Sequence, residues 1–478
     1  MLSPSSVDEA TDRNIAVHKR TPSGNKYSGP SKDDVACGRK QHLSKGQYHF
    51  YEKPLMLVEA KGQYCYDEEG RRYLDAYSNV CHVGYCHEHI ADAAAQQMRT
   101  IVTNTRYLHP SLGSYAKMLI NKMPKDSNLS ICFFVNSGSE ANDLAMRLAR
   151  VYTRQKYVFA LEHAYHGTTG SCTGVSPSLS TGNIDKSNST HPDYAYYGRD
   201  VKLLRVPNTF RGEHRSDDPD AVSKYLSDFD KRLTEIEGPQ VKDAGMGCGL
   251  AAFIIETIQG VAGQVVYPEG YTQQLFDKVR KAGGLCISDE VQVGFGRVGS
   301  HFWAFEAEGV VPDIITMGKP IGNGHPLGCV VTTPEIAEAF EAAQYFNTFG
   351  GNPVSCAIGQ AVLEVIESED LQNNAKVLGE QLMHGLQRIK QKHPIIGDVR
   401  GRGLFVGVEL VKDQSTLEPA THETKRLWEK MRDNGVLTGI GGPAKSVIRM
   451  KPPMCLTSAD VDEIIRVMDM CLIEIAQE

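Results

Sequence analysis

Three segments of the sequence combine residue types in ways that could do chemistry. The first is Phe133-Phe134-Val135-Asn136-Ser137-Gly138-Ser139-Glu140, where an apolar β run stops at Asn136, Gly138 permits an unusual backbone angle, and helix formers follow as far as Arg150. Such a turn gathers free amides and hydroxyls at the positive end of a helix, where they favour a phosphate. The same residues would equally make an ordinary helix start, with Ser137 or Ser139 as its cap and no ligand. The second is Asp289, which ends the run Gly284-Leu285-Cys286-Ile287-Ser288. A carboxylate there is costly unless water or a cation meets it, and a protonated ring nitrogen would be such a cation. The third is Lys319, which follows Asp313-Ile314-Ile315-Thr316-Met317 and Gly318. Lysine with a depressed pKa is the side chain that condenses with carbonyls. Taken singly, each has a bland reading as a surface charge. Together, a phosphate cradle, a carboxylate and an amine are the set that pyridoxal 5'-phosphate requires.

These residues need elements that bring them to one place. Between about Ser78 and Pro353 apolar strands alternate with amphipathic segments, the signature of a mostly parallel sheet with helices on both faces. The expected strands are Ile131 to Val135, Tyr157 to Leu161, Ala251 to Glu256, Leu285 to Asp289, Asp313 to Met317 and Gly328 to Thr332. In open α/β sheets ligands gather at the carboxyl ends of strands, where all three segments fall. Before this region, the β-rich runs Leu55 to Val58 and Tyr64 to Tyr66, with the turn Asp67-Glu68-Glu69-Gly70, read as hairpin strands of a small leading subdomain. After it come a helical run (Ala361 to Glu367, then Leu378 to Lys390), strands around Val399 to Val411 and a final helix from Ser458 to Ile475, a second and smaller α+β unit. The polar stretch from Thr181 to Asp243, broken by Pro and Gly, reads as a surface excursion rather than core.

A chain of 478 residues should hold more than one substructure. Its net charge of -7, without a long basic run, argues against nucleic acid or anionic membrane and leaves small molecules as ligands. Apolar stretches such as Leu250 to Ile255 are far too short to span a bilayer. The first 35 residues lack an apolar core segment, so a flexible extension is expected rather than a secretory signal, and Asp8, Glu9 and Asp12 count against a mitochondrial presequence. Scattered cysteines inside apolar runs (Cys132, Cys286, Cys329) point to a reducing, intracellular setting, with mitochondrial matrix and cytoplasm both open. The cluster Cys81-His82 with Cys86-His87 and His89 has zinc-type ligands but no second pair at zinc-finger spacing, so no metal is expected. Gly294-Phe295-Gly296-Arg297-Val298-Gly299 matches a dinucleotide-binding pattern, yet the next segment is aromatic and broken by Gly309 and Pro312. Gly318-Lys319 fails as a phosphate-binding P-loop, because Pro320 stands where Ser or Thr is needed.

Asn136-Ser137-Gly138-Ser139-Glu140-Ala141, Tyr165-His166-Gly167, Asp289-Glu290-Val291-Gln292, Gly318-Lys319 and Phe349-Gly350-Gly351-Asn352-Pro353 occur in the order found in class III aminotransferases. The chain resembles that family from about Lys53 to its C-terminus. The resemblance implies a fold-type I pyridoxal-phosphate enzyme: an extension over 1–35, a segment 36–77 joining the small domain, a large domain 78–354 with a mostly parallel seven-stranded sheet, and a small α+β domain 355–478. It implies that Ser137, Gly138 and Ser139 bind phosphate, that Tyr165 stacks on the ring with Val291 on the opposite face, and that Asp289 pairs with the ring nitrogen. His166 and Glu256 join this cofactor-binding set, Gln292 reaches the ring hydroxyl, and Lys319 forms the Schiff base and acts as general base. Thr348 resembles the residue that reaches the neighbouring subunit's phosphate, implying a homodimer with shared sites. Arg449 aligns with the carboxylate-binding arginine, although a salt bridge inside the small domain would also explain it.

Within the family the segments around His82, Arg106, Gly294 and His325 look like the branch of ethanolamine-phosphate and phosphohydroxylysine phospho-lyases, whose relatives are the alanine:glyoxylate aminotransferase 2-like proteins. Those lyases tend to carry Lys where this chain has Arg449, and Ile258-Gln259-Gly260-Val261-Ala262-Gly263 resembles the true alanine:glyoxylate branch. Val261 replaces the glutamate of ornithine and γ-aminobutyrate enzymes, which turns the reading away from ω-amino acids. The expected activity is amino transfer from a small amino acid to an oxo-acid such as glyoxylate or pyruvate. The alternatives are a phospho-lyase for phosphoethanolamine or phosphohydroxylysine and a non-catalytic scaffold. Lys319 and Asp289 speak against the scaffold, which has no chemical need of them.

Overall fold

Apolar runs that stop abruptly at a polar residue or glycine build the central sheet. The computed structural model describes residues 27–47, 49–179, 198–236 and 246–478. Its largest sheet has seven strands in the spatial order Ile131–Val135, Gly328–Thr332, Ile314–Met317, Leu285–Asp289, Gly247–Glu256, Gln155–Leu161 and Val201–Leu204. Gly328–Thr332 runs against both its neighbours, and every other adjacent pair is parallel. The α/β class and the mostly parallel sheet are as the sequence implies. Leu285–Asp289, Ile314–Met317 and Gly328–Thr332 are buried throughout, which fits strands covered on both faces and explains their unbroken apolar character.

The seventh strand corrects the reading of Thr181 to Asp243 as a surface excursion. Val201–Leu204 pairs with Gln155–Leu161 at the sheet edge, and the helix Ala221–Ile236 packs Tyr225, Leu226 and Phe229 into a core with Phe159 and Phe253. Four residues, one of them Lys202 reaching outward to Glu235, are too few to announce an edge strand by pattern. Residues 180–197 and 237–245 lie outside the described set.

The helix Gly138–Thr153 lies against this sheet because Ala141, Leu144, Ala145, Leu148 and Ala149 fall on one stripe and are buried together with Val135, Ile254 and Ile287. Ser137 caps it, its Oγ accepting from Glu140 N at 3.1 Å.

Two further four-stranded sheets flank the site. Ile396–Arg402, Phe405–Leu410, Val447–Met450 and Gly439–Gly441 are antiparallel, with the helices Leu371–Lys392, Thr421–Asp433 and Ser458–Gln477 packed beside them. The leading hairpin strands Leu57–Lys61, Tyr64–Asp67 and Arg72–Asp75 gain a fourth strand, Val436–Leu437, from the other end of the chain. The N-terminal extension is described only from residue 27; within it and beyond, Lys32–His42 forms a helix with no buried residue.

Candidate active site

The carboxyl ends of five strands and the start of Gly328–Thr332 converge on one cavity of about 280 Å3. Its wall includes Ser137, Gly138, Ser139, Tyr165, His166, Glu256, Asp289, Val291, Gln292 and Lys319. The convergence arises from register: Asp289 lies level with Glu256 on one side and Thr316 on the other, and Gly328 lies level with Val135. Two glycines allow the turns to touch. A Cβ on Gly138 would sit 2.9 Å from both methyls of Val291, and one on Gly318 would sit 2.9 Å from Gly138 Cα.

At the helix start the cap forms and two amides are left over. Ser137 Oγ takes Glu140 N, the Ser137 carbonyl takes Ala141 N, and Glu140 Oε2 takes Asn136 N. The Gly138 and Ser139 amides are left without helical acceptors, at the positive end of a 16-residue helix, facing the cavity. Ser139 Oγ accepts from Thr168 N at 3.2 Å, which ties in the loop carrying Tyr165 and His166.

Asp289 is held from three sides. Asn142 Nδ2 and His166 Nδ1 each donate to Oδ2 at 2.7 Å, and Val291 N donates to Oδ1 at 3.0 Å. Thr316 Oγ1 donates to Asn142 Oδ1 at 2.6 Å, which fixes the NH2 end of that amide toward Asp289 and the His166 carbonyl. Because a carboxylate accepts, His166 carries its proton on Nδ1, and its Nε2 has no partner among the described residues. Glu256 accepts from Tyr165 N and Gly260 N, and burial raises its pKa.

Lys319 sits at φ +36°, a conformation L residues rarely adopt, directly after Gly318. Burial lowers its pKa against the pull of Asp289 and Glu256, and among the described residues Nζ has no hydrogen-bond acceptor. It is a buried amine, beside Asp289 and Glu256, whose hold on its proton is weakened. Two free amides at a helix start, a fixed carboxylate and an amine fit pyridoxal phosphate by the chemistry of the set.

Two expected site residues do not line this cavity. Arg449 is buried on Val447–Met450; it donates to Tyr77 Oη at 3.0 Å and to the Ile440 and Gly260 carbonyls, with no carboxylate partner among the described residues. Thr348 is exposed, although its neighbour Asn347 accepts from Asn136 at the cavity wall. Conversely, Asn142, His325 and Lys451 had no role in the sequence reading. Asn142 could have been found as a polar residue in the middle of an apolar helix stripe. His325 lines the cavity and bonds Ser355 Oγ at 2.8 Å, while burial lowers its pKa.

The Cys81–His89 cluster and the glycine-rich turn, each set aside as a binding motif, meet in the fold. Arg297 of the glycine-rich turn bonds His82 Nδ1 at 2.9 Å, and His82 Nε2 bonds the Phe295 carbonyl at 2.8 Å. Arg297 also donates to the Leu404 and Pro452 carbonyls. Burial brings its pKa down to about 9, against the pull of Asp75, and pushes that of His82 down as well.

The sequence model described as "Aminotransferase class-III" matches residues 47–472. The chain belongs to the class III aminotransferase family. Its relatives include a Drosophila melanogaster protein named "Alanine--glyoxylate aminotransferase 2-like", 47% identical over 94% of this chain and 88% of that one. An Arabidopsis thaliana relative, "Alanine--glyoxylate aminotransferase 2 homolog 2, mitochondrial", is 43% identical over 93% and 88%. Among solved structures, a phospholyase from Arthrobacter in complex with phosphoethanolamine superimposes with a TM-score of 0.84 at 38% identity, covering 92% of this chain and 99% of that one. This class III member is therefore an enzyme with both aminotransferase and phospho-lyase kin. Among its described residues no helix is long and apolar enough to cross a membrane.

Proposed function

We propose that this enzyme binds pyridoxal 5'-phosphate and moves an amino group from a small amino acid to an oxo-acid such as glyoxylate or pyruvate. The observation that carries the substrate half is Arg449, a buried guanidinium with only neutral partners among the described residues, as a binder of an α-carboxylate would need. In this reading the Gly138 and Ser139 amides and Ser137 hold the phosphate, Tyr165 and Val291 bracket the ring, and Asp289 keeps a proton on its nitrogen. The cofactor, when bound, supplies an electron sink for the Cα bond being broken. Lys319 would be the residue that holds it covalently and, once freed, would take and return the Cα proton of the substrate. His166 and Asn142 hold Asp289 in orientation, and Glu256 holds the Tyr165 loop.

A second reading has its own support. The likeness to the Arthrobacter phospholyase, together with a second buried basic side chain, Lys451, two residues beyond Arg449, favours a substrate with a phosphate ester such as phosphoethanolamine or phosphohydroxylysine. There the same Lys319 proton abstraction would expel phosphate from the neighbouring carbon. A paired assay separates them. Pyruvate formed from alanine in the presence of glyoxylate is the expected result; phosphate released from phosphoethanolamine without amino transfer to glyoxylate would overturn it.

The proposal extends to a homodimer with shared sites, in which Thr348 serves the neighbouring subunit's phosphate. Exposed apolar side chains support this: Met98, Val102, Tyr107, Leu108 and Phe349 are all exposed, and Arg106 lies 4.2 Å over the Phe346 ring. Sedimentation is expected to give twice the 52.6 kDa chain mass, and a monomer at micromolar concentration would sink the shared-site reading. We also propose a division into a large unit, 78–354, and a small one, 355–478, with 36–77 attached to the latter through the Arg72–Asp75 pairing with Val436–Leu437.

A further inference from the structure

Lys451 is buried and bonded to a residue of the cavity wall. Its backbone N–H donates to the Ala76 carbonyl at 2.9 Å, and its Nζ donates to Gln292 Oε1 at 2.6 Å. Nζ also lies 4.9 Å over the Tyr77 ring, whose hydroxyl accepts from Arg449. Both members of the Lys451–Gln292 pair are more than nine-tenths buried, so the contact is shielded from competing water.

A carboxamide has an accepting end and a donating end of nearly equal size, and only its partners decide which way it points. Lys451 Nζ donates to the Gln292 oxygen, so that oxygen faces Lys451, even though burial and the neighbouring Arg449 lower the pKa of the amine. The Nε2 end then lies on the other side of the group, close to Gly260, where a Cβ would come within 2.9 Å of it. Among the described residues no acceptor takes a hydrogen bond from Nε2, although Gln292 lines the cavity. The backbone of Gln292 is tethered separately, its carbonyl accepting from Asn79 Nδ2 at 3.4 Å, so the side chain is the part left to be oriented.

We propose that Lys451 is a positioning residue: by holding Gln292 Oε1 it turns the carboxamide so that a donor, not an acceptor, faces the cavity, where it meets an anionic oxygen on the cofactor ring. This rests on the proposed cofactor reading, in which Gln292 reaches the ring hydroxyl. Loss of that donor leaves the ring oxygen more basic and raises the pH at which the chromophore gives up its proton.

The test is a pH titration of the visible absorbance of the cofactor-loaded enzyme, alongside the cofactor's dissociation constant. Q292L is expected to raise the titration midpoint by about one pH unit, K451M to raise it by a similar amount, and the double variant to go no further than Q292L alone. K451R, which keeps a donor, is expected to stay within about 0.3 unit of the wild type. A shift with Q292L but none with K451M overturns the role of Lys451, as do shifts that add in the double variant, because Lys451 would then act as a charge and not through Gln292. No shift with Q292L places the failure in the cofactor reading itself. Should K451M fail to fold, a K451R midpoint displaced as far as that of Q292L overturns the proposal, and one close to the wild type upholds it.

Discussion

Replacement of Lys319 by alanine is expected to lower turnover by about 10^4-fold and to remove the visible absorbance band that appears when pyridoxal phosphate is added. Both effects stem from one amine. Among the described residues Lys319 is the only lysine on the cavity wall, burial pushes its pKa down, and its Nζ has no acceptor there to compete for it. The direction of the shift matters: the unfolded side chain deprotonates near its ordinary value, and the folded one does so at lower pH. Capture of the cofactor by apoenzyme should accordingly be fast at pH values where free lysine is still protonated. Lys319→Arg puts a permanent charge in the same place and removes the reactivity, since a guanidinium stays protonated, so it should be as inactive as the alanine variant. Spectral titration of apoenzyme with the cofactor checks both variants. A band that persists in Lys319→Ala, with a tenth or more of wild-type activity, would end the assignment.

Asp289→Asn is expected to lower kcat by about 10^2- to 10^3-fold while leaving the absorbance band in place. The carboxylate accepts from Asn142, His166 and Val291, and one amide oxygen cannot replace two carboxylate oxygens in that arrangement. The Asn142 amide cannot turn to compensate, because Thr316 holds its oxygen and the His166 carbonyl holds its second N–H. In the proposed reading the charge that would keep a proton on the ring nitrogen is lost, and the covalent attachment through Lys319 would remain. Steady-state kinetics beside the spectrum distinguish the two losses. A variant within tenfold of the wild type would show that the buried carboxylate holds the loop together and does nothing for the reaction.

These two residues were readable in the sequence for a physical reason. A fully buried parallel strand must be apolar along its whole length, so a charged residue at its end stands out, as Asp289 does after Ile287-Ser288 and Lys319 after Met317-Gly318. The same contrast marks Val135 and Asn136. Where burial is partial the contrast fades: Val201–Leu204 is an edge strand with a lysine in it, and the helix Thr421–Asp433 hides Leu427, Trp428 and Met431 among charges. Lys451 was invisible for another reason. Nothing local distinguishes a buried lysine from an exposed one, and its environment is made by Tyr77 and Gln292, which come from opposite parts of the chain. Arg297 and His82 were read as separate decoys because only the tertiary fold shows that each is the other's partner.

The sheet that joins Arg72–Asp75 to Val436–Leu437 also constrains the order in which the molecule can be made. On the ribosome the hairpin emerges long before its fourth strand, and Gln63 waits for an acceptor on Asp460, 397 positions downstream. Until that strand is made the hairpin has an open edge, and closing so distant a contact is slow. The nascent chain thus carries an unpaired β edge through that interval, in which chaperones would find it before Val436–Leu437 does.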